Sequence, residues 1–157
     1  MTKDEIYIKY LEKLRSKLIA KYDELGLRAS GKYADELEYK VIGDRLIMLG
    51  TYHSQFMEHG RDAGGFPPKS AIIEWIETKS GLPQEFRDKK DQFAFLIARK
   101  IATEGIKVPN EFNRGAVISS VVDDFLGNDI RDMLDELGVV YLNRIKSDVI
   151  QIFKMVA

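Results

Sequence analysis

TYHSQFMEHGRDAGGFPPKSAIIEW, residues 51–75, separates two differently patterned parts of the chain. The residues before it alternate as in a β-hairpin, and those after it repeat as in helices. Its centre is rich in glycine and proline: Gly60, Gly64, Gly65, Pro67 and Pro68. Glycine permits backbone angles that other residues avoid, whereas proline fixes its own angle and lacks an N–H donor. We therefore predict that residues 60–68, the Gly/Pro segment, form an ordered bend outside any sheet or helix.

The Gly/Pro segment also carries an arginine and an aromatic residue, Arg61 and Phe66. Both residue types are enriched at the buried centres of protein interfaces. A stiff bend presents them outward, so we predict a protein interface formed by Arg61, Phe66, Pro67 and Pro68. The sequence leaves a second placement open, in which Phe66 packs into the chain's own core and Arg61 pairs with a local acid.

The composition is that of a globular protein. The 157 residues fit one domain, and apolar residues make up 45% of the chain. The formal net charge of −1 gives no indication of a nucleic-acid partner, and the absence of cysteine excludes disulfides and thiolate chemistry. No apolar run approaches the ~18 residues of a membrane span, so no membrane partner is predicted.

Residues 1–49 predict a long helix followed by a hairpin. Apolar residues recur at steps of three and four over residues 3–25: Tyr7, Leu11, Leu14, Leu18, Tyr22 and Leu25. Thr2 is a candidate N-cap and Gly26 a stop signal. Residues 37–42 and 45–49 alternate around Gly43-Asp44, which predicts a hairpin with a type II′ turn. Such a hairpin must pack on a helix or pair with another chain.

The rest of the chain predicts helices separated by glycines and prolines. Residues 51–58 favour a short helix closed by Gly60. Pro67 and Pro68 precede a helix whose apolar face includes Trp75, a predicted core residue. One helix is expected over residues 84–104, with Phe93, Ile97 and Ile101 on its core face and Ala94 and Ala98 as a flat packing strip. A connector over 106–113 is anchored by Phe112. Two further helices are expected, one ending at Gly127 and one capped by Asn128.

The sequence therefore predicts an α+β fold that is predominantly helical. A small antiparallel hairpin packs on the long N-terminal helix, and the C-terminal half is helical. We predict a single domain over residues 1–157, in which residues 113–157 form a C-terminal helical extension.

Catalytic and metal-binding patterns are weak. His53 and His59 match no metal-binding spacing, and on a helix they do not share a face. Ser119 and Ser120 have no nearby histidine base, and the residues before Lys69-Ser70 do not form a phosphate loop. We predict no catalytic residue, no cofactor and no metal, and hence no enzyme.

Four motifs occur in a characteristic order. They are residues 52–61, ending in Gly60-Arg61; Gly65-Phe66-Pro67-Pro68; residues 72–76 around Trp75; and the Ala-rich run 93–105. In this order the chain resembles the head–tail joining, neck and tail-completion proteins of tailed bacteriophages and prophages. The resemblance covers roughly residues 1–112, and its most specific part is residues 52–105.

The resemblance implies a structural function. Copies of the chain would form a homo-oligomeric ring coaxial with the portal, between head and tail, through which DNA passes. The other partners would be the portal or adaptor ring and the tail tube or tail proteins. A chain with little net charge suits a lumen that does not bind DNA specifically. The expected location is the head–tail junction of the virion, after synthesis in the bacterial host cytoplasm.

Two other functions remain open from the sequence. The chain would be a small soluble adaptor or regulator if basic residues of the 87–100 helix bound nucleic acid on one exposed face. It would be a small hydrolase if His53 or His59 acted in catalysis.

Overall fold

The computed structural model describes residues 1–156 and confirms the predicted mostly helical α+β architecture. The elements, in chain order, are α1 (Lys3–Glu24), α2 (Lys32–Asp35), β1 (Glu38–Ile42), β2 (Arg45–Leu49), α3 (Ser54–His59), α4 (Lys69–Thr78), α5 (Gln84–Asp88), α6 (Lys90–Glu104), α7 (Ser119–Asp124), a π-helical turn (Phe125–Asp129) and α8 (Ile130–Val156).

Helix α1 begins and ends at the predicted signals. Thr2 forms a capping box with Glu5: its Oγ1 accepts the Glu5 N–H at 3.3 Å, and its N–H donates to the Glu5 carboxylate at 2.7 Å. Gly26, with φ 67°, follows the last turn. The predicted stripe is buried except for the half-buried Leu25, and the buried face is Ile6, Tyr7, Tyr10, Leu11, Leu14, Leu18 and Tyr22.

The hairpin packs on α1, which was one of its two predicted placements. Strands β1 and β2 pair antiparallel from Glu38–Leu49 to Ile42–Arg45. Gly43 takes a positive φ of 61° and Asp44 does not, as a type II′ turn requires. The inward side chains Val41, Leu46 and Met48 contact the core that α1 helps to form.

The first hydrophobic cluster joins both ends of the chain. It combines side chains of α1 with Leu37 and with the start of the C-terminal helices. Its buried members are Ile6, Tyr7, Tyr10, Leu14, Leu18, Leu37, Val121, Phe125, Met133 and Leu137. Residues 121–137 therefore belong to the same core as α1, whereas α8 is exposed from Tyr141 to Met155.

The predicted break at Gly127-Asn128 is wrong. The helix continues through the π-helical turn, and Asn128 donates to the Asp124 carboxylate at 2.7 Å instead of capping a new helix. Buried positions recur every four residues from Val117 to Leu137. An α-helix has 3.6 residues per turn, so such a row drifts around it. The π-helical turn has more residues per turn than an α-helix, which offsets part of this rotation. The buried side chains before and after the turn therefore both face α1.

Asp129, in the π-helical turn, is a buried carboxylate held by α1. Lys13 Nζ lies 2.6 Å from it, and Lys17 forms a second, shorter ion pair with it. Burial raises the pKa of Asp129, but the hydrogen bonds from Lys13 and Lys17 outweigh burial and hold this pKa below its usual value. The carboxylate is therefore charged in the folded protein and ties the C-terminal helices to α1.

The second hydrophobic cluster lies between α4 and α6. Ile72 and Ile76 pack on Ala94 and Ala98, which confirms the flat alanine strip. Phe93, Ile97 and Ile101 are only partly buried, at the border of this cluster.

The single helix predicted over 84–104 is broken at Lys89 into α5 and α6. The break allows Phe86 to stack on Phe93 with ring centroids 4.2 Å apart. In a straight helix, residues seven apart are separated by about 10.5 Å along the axis.

Phe112 does not anchor the connector, because it is 78% exposed. The connector is held by polar contacts. Asn110 Oδ1 accepts the N–H groups of Phe112 and Asn113 at 2.8 Å, and Asn113 Nδ2 donates to the Met57 carbonyl at 2.9 Å.

Within residues 1–156, no helix has the combined length and apolar character that a membrane crossing requires.

Replacing Asp129 with asparagine should lower the free energy of unfolding at neutral pH by about 1–2 kcal/mol, because charged hydrogen bonds to two partly solvated lysines are lost. The pKa of Asp129 is lowered in the folded state, so its contribution is present above the unfolded value of about 3.9 and is lost as pH falls. Chemical denaturation between neutral and acidic pH measures both effects.

Asp135→Asn is the matched control, because Asp135 is exposed on α8 and forms no ion pair in the part of the chain that the structure describes. The control should change stability little. The structural role of Asp129 would be contradicted if both variants lost the same free energy of unfolding. It would also be contradicted if the stability of Asp129→Asn fell with pH as steeply as that of the parent.

Candidate protein-interaction site

The Gly/Pro segment is fastened to the chain that leaves α6. Arg61 and Ile106 form an antiparallel pair, in which each N–H donates to the other's carbonyl at 2.8 and 2.7 Å. The N–H of Gly64 donates to the Ala102 carbonyl at 2.8 Å. The bend predicted from glycine and proline is thus ordered by backbone hydrogen bonds to a distant part of the sequence.

Two glycines make this crossing possible. A Cβ at Gly60 would lie 2.1 Å from the Ile106 carbonyl oxygen, and a Cβ at Gly105 would lie 2.3 Å from the Arg61 carbonyl oxygen. Both positions also have positive φ, 78° and 73°. Any other residue would force the two backbones apart and strain its own conformation.

An open apolar groove of about 960 Å³ lies beside this crossing. Its wall is formed by the turn before α3, α3 itself, the Gly/Pro segment, α4, α6 and Ile106, which follows α6 and pairs with Arg61. Its lining residues are Tyr52, His53, Phe56, Arg61, Pro67, Pro68, Ala71, Ile72, Trp75, Ile97, Ile101 and Ile106. Tyr52 meets Phe56 edge to face with ring centroids 5.4 Å apart. We call this surface the aromatic groove.

Three of the four predicted interface residues line the aromatic groove: Arg61, Pro67 and Pro68. Within the described residues 1–156, the Arg61 guanidinium forms no ion pair with an acid. Its Nη2 donates to the Gly65 carbonyl at 2.7 Å, so the arginine braces its own bend. One guanidinium nitrogen is therefore already occupied, and the side chain is held in place at the groove wall.

Phe66 lies outside the aromatic groove. It is 59% exposed and stacks on Phe95 of α6, with ring centroids 6.3 Å apart. The prediction that it reaches the surface is confirmed, and the alternative of a core position is wrong. Because Phe66 packs on Phe95 and does not line the groove, the structure does not bring all four predicted residues into it.

Trp75 was predicted to lie in the core, which is wrong because it is 39% exposed in the groove. Ile72 and Ile76, four residues apart, occupy the buried face of α4, and Trp75 stands beside that face. The sequence prediction also missed Tyr52 and Phe56 as groove residues. Their spacing of four was a usable signal, since it would place both rings on one side of the short helix predicted over residues 51–58.

Glu58 connects α3, beside the groove, to the start of the C-terminal helices. Its carboxylate accepts the N–H groups of Ile118 and Ser119 at 2.7 and 3.2 Å. Burial raises the pKa of Glu58, but the hydrogen bonds from Ser119 and from the Ile118 N–H outweigh burial and leave this pKa lowered. The position of α3 is thereby fixed relative to α7.

The two histidines stand at the two ends of α3. His53 lines the groove and His59 is exposed at the end of α3. Among the residues that the structure describes, no group of three or more histidine, aspartate or glutamate side chains is arranged to hold a metal ion.

Comparison with protein-family models, with curated proteins and with solved structures finds no match to this chain.

Gly60→Ala should lower the free energy of unfolding by at least about 1–3 kcal/mol, because the backbone conformation alone carries that penalty for a non-glycine residue. The contact with the Ile106 carbonyl adds to it. Thermal and urea denaturation measure the change.

Gly138→Ala is the control. A Cβ at Gly138 meets nothing within 4 Å in the middle of α8, so alanine should stabilise the protein by about 0.5–1 kcal/mol. A Gly60→Ala variant as stable as the parent would show that the crossing does not depend on glycine.

Proposed function

We propose that this protein is a structural subunit of a tailed-bacteriophage head–tail connector, a ring-forming neck or tail-completion protein. It would act by binding copies of itself and other virion proteins at the head–tail junction, without catalysis. The aromatic groove is the observation that carries the proposal. The resemblance of the motifs in residues 52–105 to phage head–tail proteins is the reason for placing the protein in a virion.

The composition of the groove favours a protein partner. Its wall carries two exposed aromatic side chains, Tyr52 and Trp75, together with an arginine and two prolines. Aromatic residues and arginine dominate the binding energy of protein interfaces. Small-molecule sites add a small number of precisely placed polar groups to an apolar wall. Here the Arg61 guanidinium already donates to Gly65.

The backbone crossing supports the same function. Association costs less when the binding surface is already ordered. The Gly/Pro segment is ordered in the unbound chain, because Arg61 pairs with Ile106 and the neighbouring glycines allow the two backbones to approach. A rigid groove suits a subunit that must repeat one contact around a ring.

The charges do not favour the nucleic-acid alternative. Several basic residues of the 87–100 region contact acids or carbonyls: Lys89 pairs with Glu85, Lys90 with Glu77, and Arg87 donates to the Lys79 carbonyl. These contacts leave fewer free cations for phosphate binding. The formal net charge of −1 is compatible with DNA passing through a ring without being bound.

Mass spectrometry and cryo-EM of particles from the phage or prophage that encodes this chain test the proposal. We expect the chain in purified particles, at the head–tail junction, in a fixed copy number. Its absence from complete particles would overturn the proposed function.

Ala71→Arg, which places a charge in the aromatic groove, should reduce incorporation into particles at least about tenfold, because an unpaired charge in an interface costs more than 1.4 kcal/mol. Ser80→Arg adds the same charge at an exposed turn outside the groove and should leave incorporation unchanged. Equal incorporation of both variants would remove the groove from the assembly contact.

A further inference from the structure

Phe112 is an exposed aromatic residue on an ordered turn. It is 78% exposed, the largest fraction among the exposed aromatic side chains of residues 1–156. Asn110 Oδ1 accepts the Phe112 N–H at 2.8 Å, and the Asn110 N–H donates to the Asn113 carbonyl at 2.7 Å. Within the described chain, the Phe112 ring belongs to neither hydrophobic cluster. The backbone therefore holds in place a large apolar side chain that does not contribute to either core.

An exposed aromatic ring on an ordered turn is suited to anchor a protein contact. Such a side chain buries about 150–250 Å² when it is covered. Aromatic anchors that fill a pocket on the partner carry much of the binding energy of an interface. Because the turn is already ordered, little conformational entropy is lost when it binds. The matching surface is a pocket with room for one aromatic side chain.

The aromatic groove has the size for such an anchor. Its open volume of about 960 Å³ equals that of a cube with edges of roughly 10 Å, whereas an α-helix with its side chains is already about 10–12 Å across. The groove therefore admits one or two large side chains. Tyr52 and Trp75 stand on its wall, where an inserted ring can meet them edge to face or offset-stacked. In the described chain, Phe112 is not among the residues that line its own groove.

The charges favour the Phe112 turn over the exposed aromatic residue of α8. Arg61 is the permanently charged residue in the described lining of the groove, and that lining includes no acid. Glu111, next to Phe112, is exposed and enters no ion pair within residues 1–156. Phe153 is followed by Lys154, whose charge has the same sign as that of Arg61. Opposite charges favour docking of the Phe112 turn, whereas like charges oppose docking of Phe153.

We propose that the Phe112 ring of one copy inserts into the aromatic groove of a neighbouring copy, with Glu111 beside Arg61. Arg114, two residues after Phe112, lines a cavity together with Glu24 of α1, whose carboxylate offsets its charge. One anchor covers less than the roughly 1,200 Å² of a stable interface, so an isolated pair of copies is weak. Copies held by two neighbours in an assembly bind more tightly.

This contact is heterologous, because two different surfaces of the chain meet. Repeated with a rotation that closes, a heterologous contact generates a ring. The inference deepens the proposed function and rests on the self-association that it requires, but the two fail separately. Presence in virions tests the connector, and association of purified copies tests the contact between the Phe112 turn and the groove.

The one tryptophan of the chain reports on this contact. Trp75 is 39% exposed on the groove wall, so an inserted ring should exclude water from it and shift its fluorescence to shorter wavelength. Purified full-length protein, measured from low concentration up to about 1 mM, should show a concentration-dependent shift. The test variant is Phe112→Ala. Phe153→Ala is the matched control, because it removes another exposed aromatic side chain that does not line the groove.

Phe112→Ala should raise the concentration of half-maximal shift at least about tenfold, which corresponds to 1.4 kcal/mol, and Phe153→Ala should leave it unchanged. Glu111→Lys should also raise this concentration, whereas Arg114→Ala should not. A shift that is lost in Phe153→Ala and kept in Phe112→Ala would assign the groove to α8 and overturn the inference. Equal shifts in Phe112→Ala and the parent, or no shift in the parent up to about 1 mM, would overturn it as well.

Discussion

The close approach of two backbone segments at Gly60 and Gly105 is the constraint on which the candidate site depends. Their missing side chains let Arg61 and Ile106 exchange hydrogen bonds at 2.8 and 2.7 Å. Without that pairing, only the Gly64–Ala102 hydrogen bond and the stacking of Phe66 on Phe95 would hold the Gly/Pro segment to α6. With it, the prolines of the segment and the aromatic side chains of α3 and α4 share one rigid wall, and that wall is the feature from which we infer a binding function.

Two internal clusters hold part of the apolar residues, and other large apolar residues are exposed. One cluster unites α1, the hairpin and the start of the C-terminal helices, and a second lies between α4 and α6. Asp129 adds a charged contact to the first cluster, where its pairing with Lys13 and Lys17 fixes the direction in which α8 leaves the core. Apolar surface that neither cluster covers remains in the aromatic groove and along α8 from Tyr141 to Met155. The groove is the part of this surface from which we infer a binding function.

Features set by local signals were predictable from the sequence. The Thr2 cap, the apolar face of α1 and the Gly43 turn depend on neighbouring residues, and all three are confirmed. Several features set by distant contacts were not predicted. The capping signal at Asn128 is overridden by packing of the C-terminal helix on α1. Trp75 lies in the groove because two isoleucines occupy the buried face of its helix.

Only three of the four predicted interface residues line the groove, because the position of each side chain depends on a contact that is distant in sequence. Glycine and proline identify a rigid bend, but the direction of each side chain on it depends on α6, which lies about thirty residues later in the sequence. A cryo-EM map of the assembled form is the most direct test of the account. It should show the aromatic groove, including Trp75, covered by a neighbouring chain. An assembled particle in which that groove faces solvent in every subunit would contradict the account.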